Sequence, residues 1–239
     1  MVNKRGASHF EMVISFVFFL GFVFFLFLFL KPYDTTVLSG SVVASLYDTF
    51  EEEAHTNLTS LFLKAEYEDV EDVPCFYILL PEDIFAYAFT DSRVTNLAGT
   101  LVDSNLKEEV IGDGNLQIES EEGYFKVAIS PEFNEGDDFP MCVEFTEPYI
   151  LGSKLERRVI SYSALQEMKE RYNADYENLK VDLKVPDAFE FFIVSEEFPE
   201  IDMKNFVSGS VDVITYDYVL EVLKDNGEIN NTRFTLGVW

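Results

Sequence analysis

Residues 12–30 carry no charge, and only Ser15 and Gly21 interrupt their apolar character. A buried helix of a globular protein shows polar positions at a 3.6-residue period. A cleaved secretory signal has a shorter apolar core followed by small residues. Neither description suits a run that ends in Phe27-Leu28-Phe29-Leu30-Lys31-Pro32-Tyr33. At 1.5 Å per residue the run approaches the roughly 30 Å of a bilayer core. The pattern therefore predicts a transmembrane helix over 12–31, behind a basic leader and pre-anchor segment over 1–11. Lys4 and Arg5 precede the run, which by the positive-inside rule makes the N-terminus cytoplasmic. The expected location is the cytoplasmic membrane, with a single pass, an extracytoplasmic C-terminal domain and the lipid bilayer as a partner.

Beyond Pro32 the period changes. Val37, Val43, Leu46 and Phe50 share a broad helical face, interrupted by Gly40. This predicts a helical stalk over 32–56, whose apolar stripe packs on its own domain or on a neighbour's helix. From Asn57 the signals turn to strands, at 58–67, 75–80, 84–89, 141–146 and 189–194. Segments 115–119 and 124–130 alternate around Glu121-Glu122-Gly123 and predict a hairpin. A second hairpin, 211–223 with 232–238, flanks Asp225-Asn226-Gly227, a turn able to supply positive φ angles. One helix is expected over 161–183, with Leu165, Met168, Tyr172, Tyr176 and Leu179 on one face. Ser163 caps it and Val185-Pro186-Asp187 stops it. The expected fold is α+β: the transmembrane helix, then an acidic exported domain over 57–239 made of an antiparallel sheet with one crossing helix.

Charge narrows the partners. The chain has 44 acidic and 17 basic side chains, a formal net charge of -27. Phosphate binding needs clustered Lys and Arg, so nucleic acid is excluded as a partner. The 48% of hydrophobic residues argues for a packed core rather than disorder. Cys75 and Cys142 each sit in a strand-like run, which suggests a disulfide in an oxidising compartment; two buried free thiols are the alternative. Asn57-Leu58-Thr59 and Asn230-Asn231-Thr232 are sequons, and Asn57 and Asn230 would accept glycans on an exported surface.

Catalytic chemistry is not legible. The two histidines are His9, before the apolar run, and His55, in an acidic stretch. A catalytic triad or zinc site would need histidine inside the folded domain. Ser104-Asn105-Leu106-Lys107 matches Ser-x-x-Lys without the motifs that accompany it in hydrolases. Acidic pairs such as Asp137-Asp138 and Glu196-Glu197 read as solvated charge, and no Asp-x-Asp-x-Asp-Gly loop is present. Arg157-Arg158 reads as a salt-bridge donor or as a docking point for an acidic neighbour. No enzyme, metal or cofactor is expected.

Lys4-Arg5-Gly6, then Ala7-Ser8-His9-Phe10-Glu11, then the uninterrupted apolar helix, resembles the class III signal peptide of archaeal type IV pilin-like proteins. The resemblance covers about an eighth of the chain. It implies cleavage by a prepilin peptidase between Gly6 and Ala7. Glu11 would become the fifth residue of the mature chain and neutralise the amino terminus of a neighbouring subunit. Each charge offsets the other's desolvation only as a pair. The implied function is a membrane-anchored, pilin-like cell-surface protein acting by assembly with like subunits or by adhesion. The alternatives are a permanently anchored surface protein outside any filament, and a membrane-tethered hydrolase.

Overall fold

The computed structural model describes residues 5–29, 35–65, 75–81, 84, 91–108, 114–120, 123–134, 139, 142–146, 148–205, 209 and 211–239. The first helix, α1 (Arg5–Phe29), is continuous. Among the described residues no helix is long and apolar enough to cross a membrane. The transmembrane helix expected over 12–31 is corrected accordingly. The single-pass membrane location derived from that helix is corrected with it. Lys31, Pro32 and Tyr33 lie outside the described residues.

The second helix, α2 (Thr35–Ala54), runs unbroken through Gly40. Val43, Leu46 and Phe50 are fully buried, so the apolar stripe packs on its own domain. The next residue, His55, already belongs to β1 (His55–Ala65), with no loop between them. The other strands are β2 (Phe76–Leu80), β3 (Asp91–Asn96), β4 (Leu101–Val102), β5 (Ser104–Glu108), β6 (Gly114–Ile118) and β7 (Gly123–Ser130). They continue with β8 (Val143–Glu144), β9 (Ile150–Leu151), β10 (Leu155–Ser161), β11 (Phe191–Ser195), β12 (Ile214–Leu223) and β13 (Ile229–Val238). Two helices, α3 (Tyr162–Ala174) and α4 (Tyr176–Asp182), lie between β10 and β11.

The described strands form two sheets. A nine-stranded sheet has the order β11-β13-β12-β10-β1-β7-β3-β4, with β9 paired to β1. A four-stranded sheet has the order β5-β6-β2-β8. The chain is mostly β, 43% strand against 31% helix, which corrects the expected α+β domain of one sheet and one crossing helix. Two cores explain the division. Helices α2, α3 and α4 cover one half of the large sheet, where Leu46, Phe50, Leu165, Met168, Phe234 and Leu236 meet. The small sheet covers the other half, with Phe76, Ile78 and Leu116 against Leu63, Phe125 and Val127. A smaller cluster on the opposite face joins Leu58, Phe133, Val159 and Leu223.

The C-terminal hairpin is present, with Gly227 at φ 85° in its turn. The hairpin expected at Glu121-Glu122-Gly123 is not. Strand β6 pairs with β2 and β5, whereas β7 pairs with β1 and β3 in the other sheet. The helix expected over 161–183 is divided at Asp175 (φ -149°, ψ 60°), and Ser161, not Ser163, caps α3 by accepting from the Ala164 N–H. The strand expected at 84–89 falls largely outside the described residues, where only Ile84 is seen, in a turn.

Cys75 and Cys142 form a disulfide, with Cα atoms 4.6 Å apart. They precede β2 and β8, which pair in parallel through Phe76 and Val143, so the bond lies at the start of that ladder. It spans a sequence separation of 67 residues. Loop-closure entropy for a loop of that size gives an upper figure of about 4 kcal/mol. Replacing both cysteines by alanine is expected to lower unfolding free energy by about 2–4 kcal/mol, read by urea denaturation.

Candidate functional site

Two features outside the packed cores bear on function, and α1 is the larger. Its described apolar side chains are exposed, from 37% at Leu26 to 75% at Phe18, and only Val23 is half-buried. Phe16, Phe19, Phe22, Phe24 and Phe25 are among the exposed ones. Leu, Met, Phe and Ala tolerate a helix without caps when a long run lets backbone bonds propagate. Glu11 is the one charge among those described side chains and is exposed. The helix begins at Arg5, so Glu11 lies beyond its first turn, where the helix dipole no longer contributes much. Gly6 and Ala7 lie in the first turn of α1.

The second feature is an open notch of about 550 Å³ where α2 meets β1 and β10, lined by Asp48, Glu51, Glu52, His55 and Arg158. The helix period puts Asp48, Glu51 and Glu52 on one side of α2. Strand pairing puts Arg158 opposite Asn57. His55 Nδ1 lies 2.6 Å from the Glu52 carbonyl oxygen. A carbonyl only accepts, so Nδ1 carries the proton and donates. The arginine doublet thus divides: Arg157 pairs with Glu221 at 2.8 Å, while Arg158 faces the notch. Among the described residues no Ser, Thr, Cys or Lys side chain lines this notch. Among the described residues no group of three or more His, Cys, Asp or Glu side chains is placed to hold a metal ion.

Elsewhere, buried ionisable groups are structural. Glu132, 7% exposed, accepts the Ser163 N–H at 2.8 Å and the Ser163 hydroxyl at 2.9 Å. It also accepts the Ser161 hydroxyl. A carboxylate at the first turn of α3 satisfies free N–H groups and complements the helix dipole. Nothing in Ser130-Pro131-Glu132-Phe133 announces this role, because its partners lie about thirty residues away. Lys180, 3% exposed, is held by Glu190 at 3.2 Å and by the Asp187 carbonyl at 3.3 Å. The Tyr176 hydroxyl donates to the same Glu190. Ser104 and Lys107 do not make a nucleophile–base pair: they sit three apart on β5, where odd spacings point to opposite faces. Cys75 and Cys142 are joined as above. Asn57 lies on β1 and Asn230 on β13, and the threonines of both sequons, Thr59 and Thr232, are buried. Asp137 and Asp138 are outside the described residues.

Compared with protein-family models, with curated proteins and with solved structures, the chain gives no match.

Two outcomes follow from the buried groups. Glu132→Ala strips the acceptor from one backbone N–H and two hydroxyls, and is expected to cost about 1–3 kcal/mol by thermal denaturation followed in far-UV circular dichroism. Burial first, and the charge of Glu190 second, push Tyr172 up to about 12. Burial and the bond to Glu190 raise Tyr176 as well. A phenol raised in the folded state stays protonated there after it ionises in the unfolded chain, so stability is full below about pH 10 and declines through pH 12. Tyr172→Phe should flatten that alkaline decline in pH-dependent urea titrations; an unchanged slope would count against it.

Proposed function

We propose that the chain acts by assembly, as a pilin-like subunit whose N-terminal helix packs against the same helix of other copies. The observation that carries this reading is the exposure of the described side chains of α1, of which only Val23 is half-buried. Phenylalanine side chains bury 150 Å² or more each, so the exposed apolar area is on the order of 1,000 Å². Monomeric proteins rarely present more than a few hundred Å² of contiguous apolar surface. Helices with such surfaces cover each other, and their axes stand about 8–10 Å apart depending on the side chains between them.

Glu11 gives the assembly its register. Covering α1 with like helices removes water from this carboxylate, which is costly unless a cation meets it. Cleavage between Gly6 and Ala7 would create an amino terminus one helical turn from Glu11, and the amine of one copy would meet the carboxylate of the next. The resemblance of Lys4 to Glu11 to a class III signal peptide supports the same reading, with a prepilin peptidase as the processing partner.

The test is mass analysis of the N-terminus after expression in a peptidase-competent host, with assembly followed by electron microscopy and sedimentation. A chain beginning at Ala7 is expected. Glu11→Ala should be processed and remain unassembled, while Glu11→Asp should assemble in part. An intact Met1 or Val2, or normal assembly of Glu11→Ala, would overturn the proposal.

A further inference from the structure

The outer face of the nine-stranded sheet collects cations and exposed apolar groups. Pairing of β1 with β7, β9 and β10 places Phe62, Lys64, Tyr124, Lys126, Ile150 and Leu155 on one side. Phe62 is 58% exposed, Ile150 61% and Leu155 60%. Lys64 Nζ stands 5.4 Å from the Tyr124 ring centroid. Next to them is a cleft of about 80 Å³ between this face and the β12–β13 turn, whose lining includes Leu58, Leu101, Leu223, Arg93 and Lys126.

Both rim cations lack a carboxylate partner among the described residues. Arg93 lies over the Phe133 ring at 5.3 Å and donates to the carbonyls of Ser92, at 2.9 Å, and Asn134, at 3.1 Å. Lys126 is exposed, between Phe62 and Thr95 in the ladder. Two further cations share this face: Arg157 is neutralised by Glu221, and Lys64 stands over the Tyr124 ring. Asp225, at the turn, accepts from Asn134 Nδ2 at 2.9 Å. In a chain with 17 basic side chains against 44 acidic ones, two cations beside an apolar cleft form a surface that selects an acidic occupant.

The same fold holds such an occupant. The C-terminal end of α2 carries Asp48, Glu51, Glu52 and Glu53 and has no basic residue in its last turn. Acidic side chains at a helix C-terminus oppose the helix dipole, a cost that Arg158 offsets on the notch side and that a cation from outside the chain would offset on the exposed side. Asp48, Glu52 and Glu53 are exposed. We infer that this acidic end of α2 docks on the Arg93–Lys126 face of a second copy of the chain. Net repulsion between copies is screened beyond about 8 Å at physiological salt, so the short-range match decides. The two surfaces differ, which makes the contact head-to-tail and able to continue from copy to copy. The inference rests on the assembly reading in that both require like subunits, but it uses a surface remote in sequence from α1.

The experiment mixes full-length ¹⁴N and ¹⁵N chains in the Glu11→Ala background, which removes the contribution proposed for α1, and couples amines to carboxylates with a zero-length carbodiimide. Mixed-isotope peptides joining Lys126 to Glu51, Glu52 or Glu53 are expected. Lys126→Glu with Arg93→Glu should lower dimer yield by roughly tenfold, as should Glu52→Lys with Glu53→Lys, and mixing the two double variants should restore it. Circular dichroism checks that each variant is folded. Coupling of Lys126 only within its own chain, coupling to another segment, or failure of the mixed variants to recover would overturn the inference. Processing at Ala7 and assembly of the unaltered chain are scored separately, so the reading of α1 can stand when this contact fails.

Discussion

Strand β1 is the constraint on which the described fold depends. Its first residues pair with β10 and its last with β7, with Thr59 and Ser60 held on both sides. One strand therefore joins the half of the sheet covered by helices to the half covered by the small sheet. Alternation along β1 assigns Leu61, Leu63 and Ala65 to the inner core and Phe62 and Lys64 to the outer face. A slip of one residue would exchange these sets, expose three apolar side chains and bury a lysine. The register of β1 thus fixes the sandwich core and the composition of the outer face together.

What could be read from sequence follows how far apart the interacting residues are. The β12–β13 hairpin was legible because Asn226-Gly227 lies between two strands that pair with each other. The same reasoning failed at Gly123: alternation shows that β6 and β7 are strands, but not that each would join a different sheet. The period of α2 exposed its apolar stripe, yet only the buried Val43, Leu46 and Phe50 show that the stripe belongs to its own domain. For α1 the helix was legible and the membrane span was not upheld. The carboxylate of Glu132 escaped notice because capping of α3 brings it to Ser161 and Ser163 from another part of the chain.

Charge organises the surface in the same non-local manner. A net charge of -27 suggests a uniformly acidic exterior. Instead, Arg157 and Lys180 are matched inside the chain, Arg158 faces the acidic notch, and Arg93 and Lys126 gather at one cleft. Composition cannot show this distribution, since it arises from strand register. A scarce charge placed beside exposed aromatic and aliphatic side chains contributes more to selecting a partner than to holding the fold.

The direct junction of α2 with β1 has a mechanical meaning. With no slack between Ala54 and His55, tension applied through the helical segment enters β1 along its own axis. Because β1 is bonded laterally to β10 and β7, that force loads many hydrogen bonds at once, in shear, instead of opening them one after another. A chain pulled from its N-terminal side would, once α2 yields, load the strand that also unites its two cores.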